Sequence, residues 1–579
     1  MKMPKILSIF IGLAFLVSGS VFGATIKVPD DYATIQEAID AAVDGVTVLV
    51  ASGTYPGYIY FNGKKITVRS ESGPNVTTID GRVDFYGNET EESLLEGFTT
   101  WGSDIQASSP TIKNCKLKGE GTASTGGHGS IYSGSSPTFI DCQIYDGQAG
   151  VGGGYDVRDS SATFIDCDFF ENEASSNGGA LYINNSSVTL ENCSFSQNSA
   201  RDEWGGGGAI FVTGVSILNI NDCEFSKNSA AAGGAILNGY EDTIVIVNSN
   251  FEKNSAHKWG GAIFTNASAS FTIENCIFTE NNANWHGGAI HINWESSPTI
   301  TNSIFYQNKA GSGGGGGAIW IQPGCFPYIT NCTFSRNSAE WKGGAILIGT
   351  DSIPTITNCI FWEDNAPQGP EIIKSHDDVP DPEVNYCDIQ GGYPGTGNIN
   401  ADPLFVDPVN GDLHIQPGSP CIDKGSSEGA PNVDFEGDIR PWGAGFDMGA
   451  DEFVPGYIEV TLDIKPGSYP NSINLKSRGK VPVAILTTDD FDADNVDPDT
   501  CLFAGASPVR WNIEDVDRDG DDDMILHFKT QELDLTKHST EATLEGETIE
   551  GTPIIGTDSV NIVPKGNMHS KKAKKKKKK

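Results

Sequence analysis

Basic side chains are scarce. Eight of the 38 Lys and Arg fall in Lys571–Lys579, which leaves 30 against 76 Asp and Glu over the rest of the chain. An acidic body of this kind repels a phosphate backbone, so nucleic-acid binding by the folded part is excluded as an expectation. Long apolar runs are missing too. The one continuous run, Ile6 to Val17, is too short to span a bilayer, and nothing after it is apolar enough. Helical periodicity is nearly absent, because Gly, Asn and Ser interrupt the chain every three to six residues. What Gly (69 residues) and the short alternating runs leave open is a β architecture.

The start of the chain has the order of a secretory signal. Lys2 and Lys5 precede the apolar run and small residues follow it, with cleavage expected after Gly23. The expected location is therefore secreted, extracellular or at a bacterial cell surface. Twelve Cys in a secreted chain invite a disulfide framework. Their spacing argues otherwise. Cys115, Cys142, Cys167, Cys193 and Cys223 recur every 25 to 30 residues, Ser249 and Ser303 take two later places, and Cys276, Cys332, Cys359 and Cys387 fill the others. A place that accepts Cys or Ser is a small inward rung. Stacked rungs with parallel Cβ vectors also pair badly, so buried free thiols are expected.

The rungs belong to a repeat, T-I-x-N-C-x-F-x-x-N-x-A followed by a variable turn and G-G-A-[IL]. Phe169, Phe195, Phe225, Phe251, Phe278, Phe305, Phe334 and Phe361 stand two residues after the rung. Asn172, Asn198, Asn228, Asn254, Asn281, Asn308 and Asn337 come three residues later. One such unit cannot bury its own apolar face, whereas stacked units can, with like residues over like. The amide of an Asn at a bend can bond the backbone of a neighbouring turn, and Gly-Gly supplies corners. Ahead of the repeats, Thr34-Ile35-Gln36-Glu37 is a capping box that opens a short amphipathic helix, expected to cover the first coil. Val46 to Val50 and Ile66 to Val68 read as the first strands.

The entry T-I-K-V-P-D-D-Y-A-T-I-Q-E-A-I-D-A-A, with V-T-V-L-V-A-S-G-T-Y after it, resembles pectin-lyase-like right-handed parallel β-helix proteins of bacterial secreted or surface type. The resemblance covers roughly residues 25–455 and implies an all-β solenoid with an N-terminal helical cap. It is specific for fold and poor for activity. The expected layout is a signal peptide over 1–23 and the β-helix over 24–384. A closing segment over 385–455, which resembles the one ending many secreted β-helices, is expected to cap the open end. An antiparallel β-sandwich over 456–566 and a Lys-rich disordered tail over 567–579 complete it. The sandwich resembles a module appended to secreted bacterial and archaeal proteins through D-I-K-P-G-S and E-D-V-D-R-D-G-D-D-D.

That second motif is the strongest chemical signal. Asp515, Asp517, Asp519 and Asp523 bring carboxylates toward one point around Gly520, Asp521 would add its carbonyl, and hard oxygens at this spacing suit a structural Ca²⁺. The EF-hand closing position is Leu526 rather than Glu. An acidic surface turn is the other reading. Catalytic candidates are thin. Asp156, Arg158 and Asp159, or Arg201, Asp202 and Glu203, offer the carboxylates and base of a calcium-dependent pectate-lyase-like polysaccharide lyase, but they are also ordinary loop charges. Gly127-His128-Gly129 resembles an element of polygalacturonases, yet the paired Asp that should precede it is missing, and it is read as coincidence. Trp204, Trp259, Trp285 and Trp341 each lie one to three residues before a Gly-Gly, and so near one edge of the solenoid. There they either stack sugar rings or shield their turns as packing. The leading expectation is a non-catalytic protein that binds or organises extracellular polysaccharide. A lyase and an architectural adhesin are the alternatives. The Lys tail is suited to an anionic surface.

Overall fold

The computed structural model describes residues 23–563 apart from 120–121, 124–125, 267–268, 455, 489–490 and 550. The signal-like segment and the Lys tail lie outside the described residues. Contacts divide the chain into a first unit ending at Phe453 and a second beginning at Val454.

The first unit is a parallel β-helix. Successive turns stack into four ladders, of 15, 14, 9 and 11 strands, and the middle turns contribute a strand to each. Residues 161–184 show one turn: Ser161–Ile165 in the first ladder, Asp168–Phe170 in the second, Glu173–Asn177 in the third and Leu181–Asn184 in the fourth. Alternation along each strand sends one set of side chains inward. The Phe column of the second ladder, Phe169 to Phe361, stacks ring on ring at 4.5–4.9 Å with planes within 3–7° of parallel. That spacing equals the strand separation, so the rings inherit it from the backbone. All twelve Cys are free and buried. Burial pushes the Cys115 thiol up to about 11, which keeps it protonated and inert at neutral pH.

The Asn column lines a bend between the second and third ladders. Asn254 Oδ1 accepts from both N and Nδ2 of Asn228 at 3.0 Å, while Asn254 Nδ2 donates to Phe225 O at 2.9 Å. The same triplet repeats along the column, satisfying buried backbone that no strand reaches. His128 ends it on one side, its Nε2 3.3 Å from Asn172 Oδ1, and burial pushes this ring down to about 4. His128 is fully buried here. At the Gly-Gly corner, Gly233 has φ +60°, and a Cβ on Gly234 would stand 2.1 Å from Gly261 O. Other corners use non-glycine residues at positive φ, and two of them recur along the repeats. One is the Asn or Asp before the rung, such as Asn192 (φ 51°). The other is the residue before the ladder Asn, such as Lys253 (φ 54°) or Arg336 (φ 57°). Asn and Asp tolerate that region, whereas Lys and Arg do so against a steric cost. Neither corner was read from the sequence.

The capping box forms as expected, with Glu37 N donating to Thr34 Oγ1 and Thr34 N to Glu37 Oε2, both at 3.2 Å. The helix it opens, α1 (Ile35–Ala41), buries Ile35, Ala38 and Ile39. Two expectations need correction. The first strand is Thr25–Val28, which precedes α1 and pairs in parallel with Thr47–Val50. The closing segment does more than cap an end. Residues 396–401 do bond the last turn, through Tyr386 N to Thr396 O and Ala401 N to Asp388 Oδ1. The chain then doubles back along the flank of the second ladder: Asn302 donates to Val433 O, Asn331 to Asp447 O, and Ala450 N to Thr333 Oγ1. Phe405, Leu413, Ile415 and Met448 pack on Ile304, Tyr306 and Ile360 there. The repeat carries an apolar residue on that outer face in these turns, and the segment buries it.

In the second unit, two four-stranded sheets share one core that includes Ile464, Val483, Leu526, Phe528, Phe503 and Leu544. Pairing is mostly antiparallel. Ile458–Glu459 with Pro553–Ser559 and Ser472–Ile473 with Asn561–Ile562 are parallel exceptions.

Candidate functional site

The variable turn between the third and fourth ladders is where successive coils differ. Ser255–Trp259 ends one such strand, and its Trp259 lies in register with Ala232 on one side and His286 on the other. This register brings three of the four Trp together. Trp204 and Trp259 have ring centroids 6.3 Å apart, and Trp259 meets Trp285 edge-on at 5.7 Å. Trp204 is 68% exposed and Trp285 44%, while Trp259 is half-buried between them. Trp341 stands apart. Its N–H bonds Gly314, whose turn sits between it and Trp285 and carries no aromatic ring, and its own ring faces Lys342.

Beside the Trp rings runs a cleft of about 600 Å³, walled by Arg201, Asp202, Glu203, His257, Lys258 and Trp285. Lys258 is 8% exposed, its Nζ sits 2.9 Å from the Trp204 ring centroid, and that ammonium makes no hydrogen bond among the described residues. A desolvated ammonium over an indole face is held by the ring quadrupole, with its three N–H donors unspent. Arg201 pairs with Glu173 on the strand below. Underneath lies the outward column of the fourth ladder: Phe211, Leu237, Phe264, His291 and Trp320. His291 is 1% exposed, its ring nitrogens have no hydrogen-bond partner among the described residues, and burial drives it well below the ordinary histidine range, so it is neutral. His286 stacks on Trp320 at 4.7 Å and accepts from Gly315 N at 3.1 Å. Sequence reasoning found the Trp but missed Lys258, His286 and His291. They occur once each, and only the register shows that they share a neighbourhood.

The two lyase candidates fall in different places. Asp156 and Arg158 lie on Tyr155–Arg158 of the fourth ladder, where Arg158 Nε bonds both Asp156 oxygens at 2.9 Å and caps the Tyr182 ring at 5.0 Å. Burial raises the Asp156 carboxyl, and Arg158 opposes the rise. Two coils earlier in the same column, Arg82 pairs with Asp104 at 2.9 Å and Asp84 at 3.4 Å. Asp159 follows at φ 49° and accepts from Asn185 Nδ2. Arg201, Asp202 and Glu203 instead form the cleft wall. The arginines on both walls are already ion-paired.

In the second unit, Asp515, Asp517 and Asp523 converge, with a carboxylate oxygen from each within 4.8 Å of the others. Asp519 and Asp521 are exposed and outside that group. Asp519 Oδ1 accepts from Asp521 N at 3.0 Å, which shapes the turn. Asp523 is fully buried, accepting from Thr487 N and Val516 N at 2.9 Å each. Desolvation and the neighbouring carboxylates Asp519 and Asp523 raise Asp517. Three carboxylates facing one point without a cation of their own are a donor set that fits Ca²⁺.

Four coiled ladders of short parallel strands with an inward Phe–Ile core define a right-handed parallel β-helix. The chain belongs to the right-handed β-helix family. The family model described as right handed beta helix region matches residues 55–251, 149–303 and 208–397, more than half the chain together. No curated protein matches the sequence. Among solved structures, a variant of the PL6 family alginate lyase AlyGC aligns with TM-score 0.36 and 13% identity, over 76% of this chain and 61% of that one. Pectate lyase Pel9A aligns with TM-score 0.32 and 13% identity, over 72% and 90%. The catalytic unit of a GH87 alpha-1,3-glucanase from Streptomyces thermodiastaticus aligns with TM-score 0.30 and 10% identity, over 62% and 71%. This chain thus spans about three fifths of the alginate lyase's length. Likenesses this distant say nothing of chemistry.

Proposed function

We propose that this is a secreted β-helix protein that binds extracellular polysaccharide in the cleft beside Trp204, Trp259 and Trp285. The observation that carries the reading is the exposed Trp285 indole and the Lys258 ammonium in the wall of that 600 Å³ cleft, with the exposed Trp204 ring against the same ammonium. Indole faces stack on pyranose rings, and an ammonium bonds sugar oxygens. Trp341 adds nothing to this site. In the second unit, Asp515, Asp517 and Asp523 would hold Ca²⁺ in a structural role, with no part in the cleft.

The test is a binding isotherm followed by tryptophan fluorescence against pectate, alginate, xylan and an α-glucan. At least one polymer is expected to bind saturably, with Trp204→Ala and Trp285→Ala each weakening it tenfold or more, about 1–3 kcal/mol per lost stacking face. No binding to any polymer, or unchanged binding by both variants, sinks the proposal. Release of unsaturated uronides, read by ultraviolet absorbance, would replace it with the lyase reading.

A further inference from the structure

We infer that His414, Glu436 and Asp451, in the segment folded back along the solenoid, form a binding site for one divalent transition-metal ion of the Zn²⁺ class. One imidazole nitrogen and a carboxylate oxygen from each acid lie within 4.8 Å of one another. They come from three stretches separated by 22 and 15 residues, so no local turn explains their meeting.

The imidazole is arranged as a metal ligand would be. Its Nδ1 lies 2.6 Å from Asp412 Oδ1, and its Nε2 points at Glu436 Oε2, 3.0 Å away. A carboxylate behind the ring fixes the tautomer that presents Nε2 forward, the arrangement found behind most metal-bound histidines. The ring also packs on Phe435 at 5.5 Å. A zinc ion holds nitrogen and oxygen at about 2.0–2.2 Å, so its ligands stand roughly 3.3–3.5 Å apart. Small rotations of the half-exposed Glu436 cover the remaining difference.

An independent argument comes from charge. Four carboxylates, Asp412, Glu436, Asp438 and Asp451, face one histidine. His414 bonds Asp412 and Glu436 directly, and Asp451 shares the same ring as a third nearby carboxylate. Asp451 is 7% exposed, and its Oδ2 accepts from Ile415 N at 2.8 Å. The nearby Arg440 pairs directly with Glu452 at 3.0 Å. Several carboxylates that share one imidazole leave net negative charge around it, which a divalent ion offsets. There is also a way in, because Glu436 lines a cleft of about 420 Å³ between the folded-back segment and Asn248, Asn250 and Asn275 of the solenoid. The mixed N,O donor set separates this site from the all-oxygen aspartate loop, which suits calcium instead. Its consequence is mechanical. Residues 416–453 contain no named strand, and an ion here would tie 412–415, 434–438 and 451 together.

The experiment uses the full secreted chain, stripped of metal, with Co²⁺ as spectroscopic probe and Zn²⁺ by calorimetry. One equivalent is expected to bind and give a visible ligand-field band, with proton release because the imidazole must shed its proton. His414→Gln and Glu436→Gln are each expected to lose at least tenfold in affinity, while Asp517→Asn binds like the parent. Glu436→Gln guards against misfolding, since that side chain is 50% exposed, and its metal-free melting curve should match the parent's. Absence of saturable binding overturns the inference. So does a His414→Gln protein that still binds one equivalent as tightly.

Discussion

Asp364 stands where the asparagine column would have its next member. Its Oδ1 accepts from Asn337 N and Nδ2 at 2.6 and 2.8 Å, as an Asn oxygen would. Its Oδ2 and both oxygens of the neighbouring Glu371 have no hydrogen-bond partner among the described residues. Burial pushes both carboxyls above their ordinary 3.8 and 4.5, and the Asp364 charge pushes Glu371 further. The folded state therefore holds protons that the unfolded chain has shed. The stabilisation is complete below the unfolded values and is lost as pH rises toward the raised ones. The denaturation midpoint of the β-helix is expected to fall as pH rises above these ordinary values toward the raised ones. Asp364→Asn should flatten that fall and gain about 1–2 kcal/mol at the alkaline end. A midpoint independent of pH in the parent would refute it. The sequence shows Asp364 at the ladder position. It does not show Glu371 beside it, because six residues of irregular turn intervene.

At the scale of elements, each column is a chain of identical contacts, and removing one link exposes its neighbours. Asn254→Ala would leave Asn228 N and Nδ2 buried without the acceptor they share and would take one donor from Phe225 O. Each orphaned group costs about 1–3 kcal/mol, so a loss of roughly 3–5 kcal/mol is expected in chemical denaturation, partly relieved if water enters. A loss under about 1 kcal/mol would mean that the column is not what satisfies that bend. These columns were legible because stacking demands like over like at one period. The positive-φ corners at Lys253 and Arg336 were not, since neither residue type advertises that conformation and the ladders on either side impose it. Thr25–Val28 was missed for a related reason: four residues before a helix become a strand only when Thr47–Val50 offers an edge.

At the scale of the molecule, the two units have separate cores, so their stabilities answer to different ligands. Saturating Ca²⁺ is expected to raise the melting temperature of the second unit alone. A hundredfold excess over Kd is worth about 2.7 kcal/mol, or roughly 10 °C for a domain this size. Asp517→Asn should abolish the shift, and a shift that survives in that variant would place the ion elsewhere.

The sequence by itself determined the solenoid, its helical cap, the inward columns and the aspartate loop. Each of these is local or periodic, and a period of 25 to 30 residues repeated along the chain admits one way of burying its Phe and Ile. Only the tertiary structure decided which non-repeating side chains meet. It joined Trp204, Trp259 and Trp285 around Lys258 and left Trp341 out. It also turned the closing segment back along the flank and so brought His414, Glu436 and Asp451 together. Those meetings depend on the lengths and paths of variable turns, which carry no period. A side chain that occurs once acquires its neighbours only when the ladders have set the register.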